Sequence, residues 1–304
     1  MTAADPGRRH ALRSPGGGFA VAVHESGARI SSIVDTASGT EFLLRLDGRD
    51  TEVPESPPTV DSNRRWHERY AGGWHPLLPN AGDDRTVDGV AHPFHGEAAW
   101  RRWRTVALDD ASCTLEVALA TVPLLLRRRT EATADGVRVQ QRLENTSGGD
   151  VAVTWTEHPA FAEVLASPGA SLMVDGDVVD VRFPQPGEGH GGFQSVPSGA
   201  RGLARLRGGG WDAVLAWDPV LFPQLHVWQE HRFTPGFPWW GATSTIALEP
   251  ASRPYDHTEQ TLGPIVVPAH GAVAAEFSLS LTRVAPLPHA TPTPRKAQQP
   301  WTSR

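Results

Sequence analysis

Hydrophobic and polar residues alternate along most of this chain in many short runs. Apolar side chains at every second position are typical of a β-strand with one buried face. Turn-forming clusters such as 109–112 and 134–136 separate neighbouring runs. The runs that predict strands cover residues 19–24, 29–34, 40–46, 102–108, 113–120, 124–130, 137–144, 151–156, 171–174, 213–217, 225–228, 243–248, 264–267 and 272–282. No segment shows three turns of amphipathic helix, so the pattern predicts an all-β protein: one large antiparallel β-sandwich with few short helices.

The same pattern suggests a simple domain organisation. Residues 1–17 resemble a flexible leader that ends at a glycine run, and residues 286–304 are rich in Pro and Thr and resemble a flexible tail. Between them, residues 18–285 form a single domain, a length that all-β domains often reach undivided. Within that domain, the Pro-, Ser- and acid-rich segment 47–63 predicts a surface loop.

Charge and cysteine content exclude several functions. The net charge is −6, and no basic stripe is present, which argues against a nucleic-acid partner. Cys113 is the one cysteine, so an intrachain disulfide and a cysteine-based metal cluster are excluded. The first residues have no apolar signal core, and no run reaches membrane-spanning length, so we predict a cytoplasmic protein without a membrane partner.

One Gly- and Pro-rich stretch, residues 72–103, carries many candidate binding groups. Aromatic rings beside hydrogen-bonding side chains suit sugars, whose ring faces are apolar and whose edges carry hydroxyls. A plainer interpretation is a connector whose tryptophans fill gaps in the packing. The candidate groups are His75, Asn80, His92, His95, Glu97, Arg101 and Arg102, with Trp74, Trp100 and Trp103 between them.

Two predicted strands end in ionisable side chains that could transfer protons. Alternation places His158 on the same strand face as Thr154 and Thr156, and it places Glu249 on the same face as Thr245 and Ala247. Small polar residues on one face of a curved sheet leave room for a ligand. A proline follows each of the two groups, which ends regular pairing there. Each group could instead be an ordinary strand end, either solvated or hydrogen-bonded to a loop.

Other chemistries have weaker support. His75, His92 and His95 lack the spacing and the acidic partners of a metal site, and no phosphate loop, nucleophile elbow or dinucleotide fingerprint is present. We therefore predict neither a metal nor a cofactor. The roles of His190 and His226 stay open.

Four segments together resemble the aldose 1-epimerase (galactose mutarotase-like) superfamily. They are GGWHPLLPNAG at 72–82, PFHGEAAWRRW at 93–103, TEHPAFAE at 156–163 and IALEPASRPYD at 246–256. The resemblance implies a galactose mutarotase-like β-sandwich in which His95 binds sugar hydroxyls, His158 is the general acid and Glu249 the general base. Relatives that act on hexose phosphates have Arg where this chain has Ala71. The position of the superfamily's sugar-binding aspartate stays open, and Asp175 and Asp177 are candidates for it.

The resemblance implies an isomerase that interconverts the α and β anomers of a hexose or hexose derivative. We expect a monosaccharide substrate, a monomer or homodimer, and a slightly raised pKa that keeps His158 protonated. The alternatives are a non-catalytic carbohydrate-binding protein, an epimerase for a phospho- or sulfo-hexose, and a polysaccharide lyase or hydrolase; hydrolysis would need a second well-placed carboxylate. The predicted substrate-binding residues are His95, Asn80, Trp74, Arg101, Trp228 and Trp239.

Overall fold

Most of the strands belong to two large antiparallel sheets, and burial alternates along many of them. The structure is a computed structural model that describes residues 8–46, 49 and 60–284. In chain order the strands are β1 (Arg9–Arg13), β2 (Phe19–His24), β3 (Ile30–Asp35), β4 (Thr40–Glu41), β5 (Trp74–Leu77), β6 (Arg85–Val87), β7 (Val90–His92), β8 (Arg104–Leu108), β9 (Ser112–Ala118), β10 (Leu124–Thr133), β11 (Gly136–Asn145), β12 (Val151–Val153), β13 (Thr156–Phe161), β14 (Ser171–Val174), β15 (Asp177–Val178), β16 (His190–Pro197), β17 (Leu203–Gly208), β18 (Trp211–Trp217), β19 (Gln224–His231), β20 (Ser244–Ala251), β21 (Ile265–Val267) and β22 (Ala272–Arg283).

Each large sheet contains nine strands. The first sheet has the order β1-β2-β3-β5-β13-β20-β19-β16, with β4 beside β3. The second has the order β15-β14-β17-β18-β22-β11-β10-β9-β8, and two small ribbons pair β12 with β21 and β6 with β7. The all-β sandwich predicted from the sequence is therefore confirmed.

Helical structure in the described residues is limited to short elements. The α-helix α1 spans Ser62–Arg69, and 3₁₀ turns occupy Pro15–Gly17 and Glu97–Ala99. Among these residues, no helix has the length and apolar character needed to cross a membrane.

Two boundary predictions need correction. The predicted leader contains β1, which pairs with β2 from Arg9 opposite His24 to Arg13 opposite Ala20, so residues 9–13 are not loose. The predicted surface loop 47–63 overlaps the first residues of α1. Most of that loop, the first seven residues and the predicted tail lie outside the described residues.

The space between the two sheets holds a continuous apolar core. Leu126 and Phe277 from the second sheet and Ile33 and Leu248 from the first belong to one packed cluster. The inward positions of β10 and β11 alternate with outward polar ones, which is why the sequence pattern was readable there.

The central strands of the first sheet are covered on both faces. Every residue of β13 and β20 is buried, because the apolar core covers one face while α1 and several loops cover the other. A second apolar cluster lies on that other face. Its buried members are Leu44, Trp66, Tyr70, Leu77, Phe94, Ala99, Trp100, Ala160, Trp239 and Ala247.

Candidate active site

Strand register brings ionisable side chains into one line across the first sheet. His158 on β13 lies opposite His75 on β5, and Glu249 on β20 lies opposite His226 on β19. Between β13 and β20, Thr156 pairs with Ala251 and Ala160 with Ala247, so His158 and Glu249 fall opposite each other midway between these pairs. Directly opposed residues in antiparallel strands point to the same face. The line therefore places several proton-exchanging groups beneath one surface.

A cavity of about 370 Å³ lies over this line. Its size falls in the range of small-molecule sites, roughly 300–1,000 Å³. The lining residues are Trp66, His67, Tyr70, Leu77, Ala81, Gly82, Arg85, Phe94, His95, Thr154, Thr156, His158, Phe193, His226, Trp228, Trp239, Glu249, Arg253, Pro254, Tyr255 and Asp256. Thr154 and Thr156 share the cavity face with His158, as the strand alternation predicted.

His158 and Glu249 contact each other on the floor of the cavity. Nε2 of His158 lies 3.4 Å from Oε1 of Glu249, and both side chains are buried. Burial, helped by the neighbouring His226, lowers the pKa of His158 to about 4. Burial also raises the pKa of Glu249 to about 8. The expected upward shift for His158 is therefore wrong, because burial lowers the pKa of its ring more than the backbone hydrogen bond raises it.

His95 reaches the cavity from a tight turn that the Pro-Phe-His-Gly motif explains. His95 has a positive φ of 64°, and Gly96 follows at 76°. A Cβ atom on Gly96 would lie 2.3 Å from the carbonyl oxygen of Leu78, so only glycine fits there. The Gly82 amide donates to Nδ1 of His95 at 3.2 Å, which leaves the proton of the neutral ring on Nε2. Burial holds the pKa of His95 well below its usual value, so the ring is a neutral donor.

Aromatic side chains form the walls of the cavity. Trp228 and Trp239 line it, with ring centroids 5.3 Å apart. Trp66 and Tyr70 also line it, and both come from α1 or its C-terminal end. The sequence interpretation missed this second pair, although aromatic residues four positions apart share one side of a helix.

Three predicted binding residues lie outside the cavity. On β5, alternation directs His75 towards the site side and Trp74 into the core, where its Nε1 donates to Glu157 at 2.7 Å. Asn80 is fully buried, and its Nδ2 donates to the carbonyl of Pro93 at 2.9 Å. Arg101 forms an ion pair with the buried Glu97 at 3.0 Å. Trp74, Asn80 and Arg101 therefore support the structure around the site and do not contact the cavity.

The candidate aspartates also have structural roles. Asp175 accepts hydrogen bonds from the backbone amides of Arg201 and Leu203, and it does not line the cavity. Asp177 is exposed on the short strand β15.

The side of the cavity formed by β16, β19 and the segment after β20 was largely missed. His226 lines the cavity, and its Nε2 donates to the carbonyl of Arg253 at 3.0 Å. Arg253, Tyr255 and Asp256 lie in the segment that carried the resemblance, but spacing alone did not show that they turn back towards Glu249. In the described part of the chain, no group of three or more His, Cys, Asp or Glu residues could hold a metal ion.

Solved structures with the same fold include several named as mutarotase relatives. A galactose mutarotase-like protein from Lactobacillus casei matches with a TM-score of 0.62 at 18% identity, over 90% of this chain and 100% of that one. A galactose mutarotase related enzyme from Lactobacillus acidophilus matches with a TM-score of 0.65 at 13% identity, over 92% of this chain and 99% of that one. The aldose epimerase homologue from C. elegans matches with a TM-score of 0.61 at 12% identity, over 91% of this chain and 100% of that one. This chain therefore has the galactose mutarotase-like fold, as the resemblance implied.

Sequence comparisons add nothing to this likeness. No protein-family model matches the chain, and no curated protein matches it.

The aromatic walls predict a fluorescence response to sugar. Titration of the protein with a sugar that binds in the cavity should change the tryptophan fluorescence. Trp228→Phe or Trp239→Phe should reduce that change, because these rings line the cavity. Trp211→Phe is the matched control. Trp211 lies on β18 of the second sheet and packs against Phe42, with 4.7 Å between the ring centroids. A response unchanged in both cavity variants would contradict the assignment.

Proposed function

We propose that this protein is an aldose 1-epimerase that opens and closes the hemiacetal ring of an aldose. The observation that carries the proposal is the 3.4 Å contact between His158 Nε2 and Glu249 Oε1 on the floor of a sugar-sized cavity. Anomer exchange needs one group to take the proton from the C1 hydroxyl and another to give a proton to the ring oxygen. Two adjacent proton carriers meet that need.

The pair performs this exchange when it holds a single proton. The resemblance implies that His158 donates and Glu249 accepts. The pKa directions favour the other arrangement at rest, with a carboxylic acid on Glu249 and a neutral His158. In that state the imidazole takes the C1 hydroxyl proton, the carboxylic acid protonates the ring oxygen, and the bond between C1 and the ring oxygen breaks as the C1 carbonyl forms. His158 has then gained the C1 hydroxyl proton and Glu249 has given its own proton to the ring oxygen, so closure on the other carbonyl face starts from the arrangement that the resemblance implies.

Neighbouring residues hold the sugar over the pair. The Nε2–H of His95 donates to a sugar oxygen, and Trp228 and Trp239 pack against the apolar ring face. Neither role requires a change in protonation state during the reaction.

The proposal predicts a wide pH optimum. The rate should fall below about pH 4, where His158 takes up a second proton, and above about pH 8, where Glu249 loses the proton. A Glu–His pair with ordinary pKa values would be active only between about pH 4.3 and pH 6.5. The limbs of a kcat/KM profile belong to the pair as a whole. A profile whose alkaline limb lies near 6.5 would show that burial does not tune this pair.

A panel of sugars tests the proposed activity. Anomer exchange is followed by NMR for glucose, galactose, a hexose 6-phosphate and a sulfonated hexose, with enzyme and without it. Faster exchange of any of them supports an epimerase and selects between neutral and anionic substrates. Sugar binding without exchange would instead make the protein a carbohydrate-binding protein, and cleavage of an oligosaccharide would favour a lyase or hydrolase.

His95 provides a test of binding as opposed to proton transfer. His95→Asn keeps a hydrogen-bonding side chain but shortens it, so KM should rise more than kcat falls if the contact is equal in the ground and transition states. A collapse of kcat at constant KM would assign His95 to the chemistry.

A further inference from the structure

Three aromatic side chains line the edge of the first sheet beside the cavity. Phe193 lies on the edge strand β16, opposite Trp228, and therefore points to the cavity face. Two positions earlier, a Cβ on Gly191 would lie 2.5 Å from the ring of Phe233, so this ring covers Gly191 on the same face. Tyr255 packs edge-to-face against Phe193, with ring centroids 5.2 Å apart. We refer to Phe233, Phe193 and Tyr255 as the aromatic shelf.

The shelf is exposed in a way that packing does not explain. Phe193, Tyr255 and Phe233 have 47%, 41% and 58% of their surfaces accessible. In the described part of the chain, the exposed Phe, Trp and Tyr side chains are these three together with Phe237 and Trp240, both from the loop that also carries the cavity residue Trp239. Exposed aromatic surface is thus concentrated around the mouth of the cavity, and such concentration marks binding surfaces.

The shelf is held in a fixed position. The hydroxyl of Tyr255 donates to Oδ2 of Asp83 at 2.8 Å, and its ring packs directly on Gly82. The amide of Phe233 donates to Oε1 of the buried Glu230 at 2.7 Å. Rigid, preorganised aromatic surfaces lose little conformational entropy when a ligand binds.

The shelf is also continuous with the proposed catalytic pair. Phe193 and Tyr255 line the cavity, and both rings are also exposed to solvent. The strand β16 lies two places from β20 in the sheet, which corresponds to about 10 Å at the usual spacing between strands. A single sugar ring over His158 and Glu249 would leave Phe233, which does not line the cavity, uncovered.

Resting on the proposed function, we propose that the substrate is a reducing oligosaccharide of at least two rings. The reducing-end ring lies in the cavity because its C1 hydroxyl must be free to react. The next ring, linked through another carbon of the first, stacks on Phe193 and Tyr255, and the chain continues towards Phe233. Arg253 and Asp256, which also line the cavity, supply hydrogen bonds to the hydroxyls.

Binding measurements test this proposal independently of catalysis. Dissociation constants are measured by calorimetry for glucose and galactose and for maltose, cellobiose, lactose and isomaltose, with the full chain. At least one disaccharide should bind about 10-fold more tightly than its reducing-end monosaccharide, which is the contribution of a good stacking contact. Phe193→Ala should reduce that ratio by about 3- to 10-fold. Leu108→Ala, which removes an exposed apolar side chain from an edge strand of the second sheet, should leave the ratio unchanged.

The outcomes separate this proposal from the proposed function. Equal affinities for monosaccharides and all four disaccharides, or a ratio unchanged by Phe193→Ala, would overturn the shelf assignment even if anomer exchange is catalysed. Tighter disaccharide binding without anomer exchange would support the shelf and refute the epimerase. If wild type is a dimer by light scattering and Phe193→Ala is a monomer, the shelf is a subunit contact and the proposal is wrong.

Discussion

Glu249→Gln should lower kcat for anomer exchange by about 10²-fold or more, with folding and sugar binding largely retained. The amide keeps the size and the hydrogen-bonding capacity of the carboxyl group but can neither lose nor carry the shared proton. A positioned proton carrier typically contributes about 10²–10⁴-fold to the rate. The measurement is exchange between anomers by NMR, with the dissociation constant of the sugar determined on the same sample.

Two residues from the region of β13 offer a control and a second variant. Glu163, just past the end of β13, forms an ion pair with Arg232 at 2.7 Å between half-exposed side chains, so Glu163→Gln should leave kcat unchanged. His158→Asn should cause a loss similar to that of Glu249→Gln. The double variant should lose less than the product of the two, since both groups serve one proton exchange. Fully multiplicative losses would mean that the two groups contribute independently of each other and do not share one proton exchange.

The fold was largely readable from the sequence because strands such as β10 and β11 have one buried face and one face towards solvent. Period-two alternation in β10 and β11 is the direct result of one face packing on the core and the other facing solvent. The same alternation placed Thr154, Thr156 and His158 on one face, and these residues line the cavity. Strands covered on both faces are harder to interpret, because burial removes the contrast between their two sides.

The parts that were missed depend on contacts distant in sequence. Trp74 and His75 are neighbours in the chain, and only the register of β5 with β13 decides which of them lies on the cavity side of the sheet. The direction of the pKa shift at His158 depends on how completely α1 and the loops exclude water, which spacing along the chain does not reveal. The strand β1 alternates in burial, but its buried face carries His10 beside Leu12 and its exposed face carries Ala11, so the residue types did not reveal the strand that its pairing with β2 defines.

The largest expected effect on stability concerns an ion pair buried directly behind the cavity floor. Glu157 is next to His158 in β13, so its side chain points to the opposite face of the sheet, into the core. Nη1 of Arg128 lies 2.8 Å from its carboxylate, and both side chains are almost completely inaccessible. The Nε1 atoms of Trp74 and Trp155 also donate to this carboxylate, at 2.7 and 3.0 Å. Arg128→Met would therefore leave a buried carboxylate without its cation, at a cost of about 3–5 kcal/mol in the free energy of unfolding.

The pH dependence of that cost identifies the carboxylate as its source. Burial already raises the pKa of Glu157 while Arg128 opposes the shift, so removing Arg128 raises this pKa further. A group whose pKa is raised on folding contributes its stability below the unfolded value, about 4.3, and loses it as the pH rises through the folded value. The loss of unfolding free energy in Arg128→Met relative to wild type should therefore be large at pH 8 and smaller near pH 5. Adding Glu157→Gln, which removes the charge and keeps an acceptor oxygen for one of the two tryptophans, should remove this pH dependence and recover part of the stability. Urea unfolding at the two pH values measures all three proteins, and a cost independent of pH would mean that Arg128 stabilises the core by packing alone.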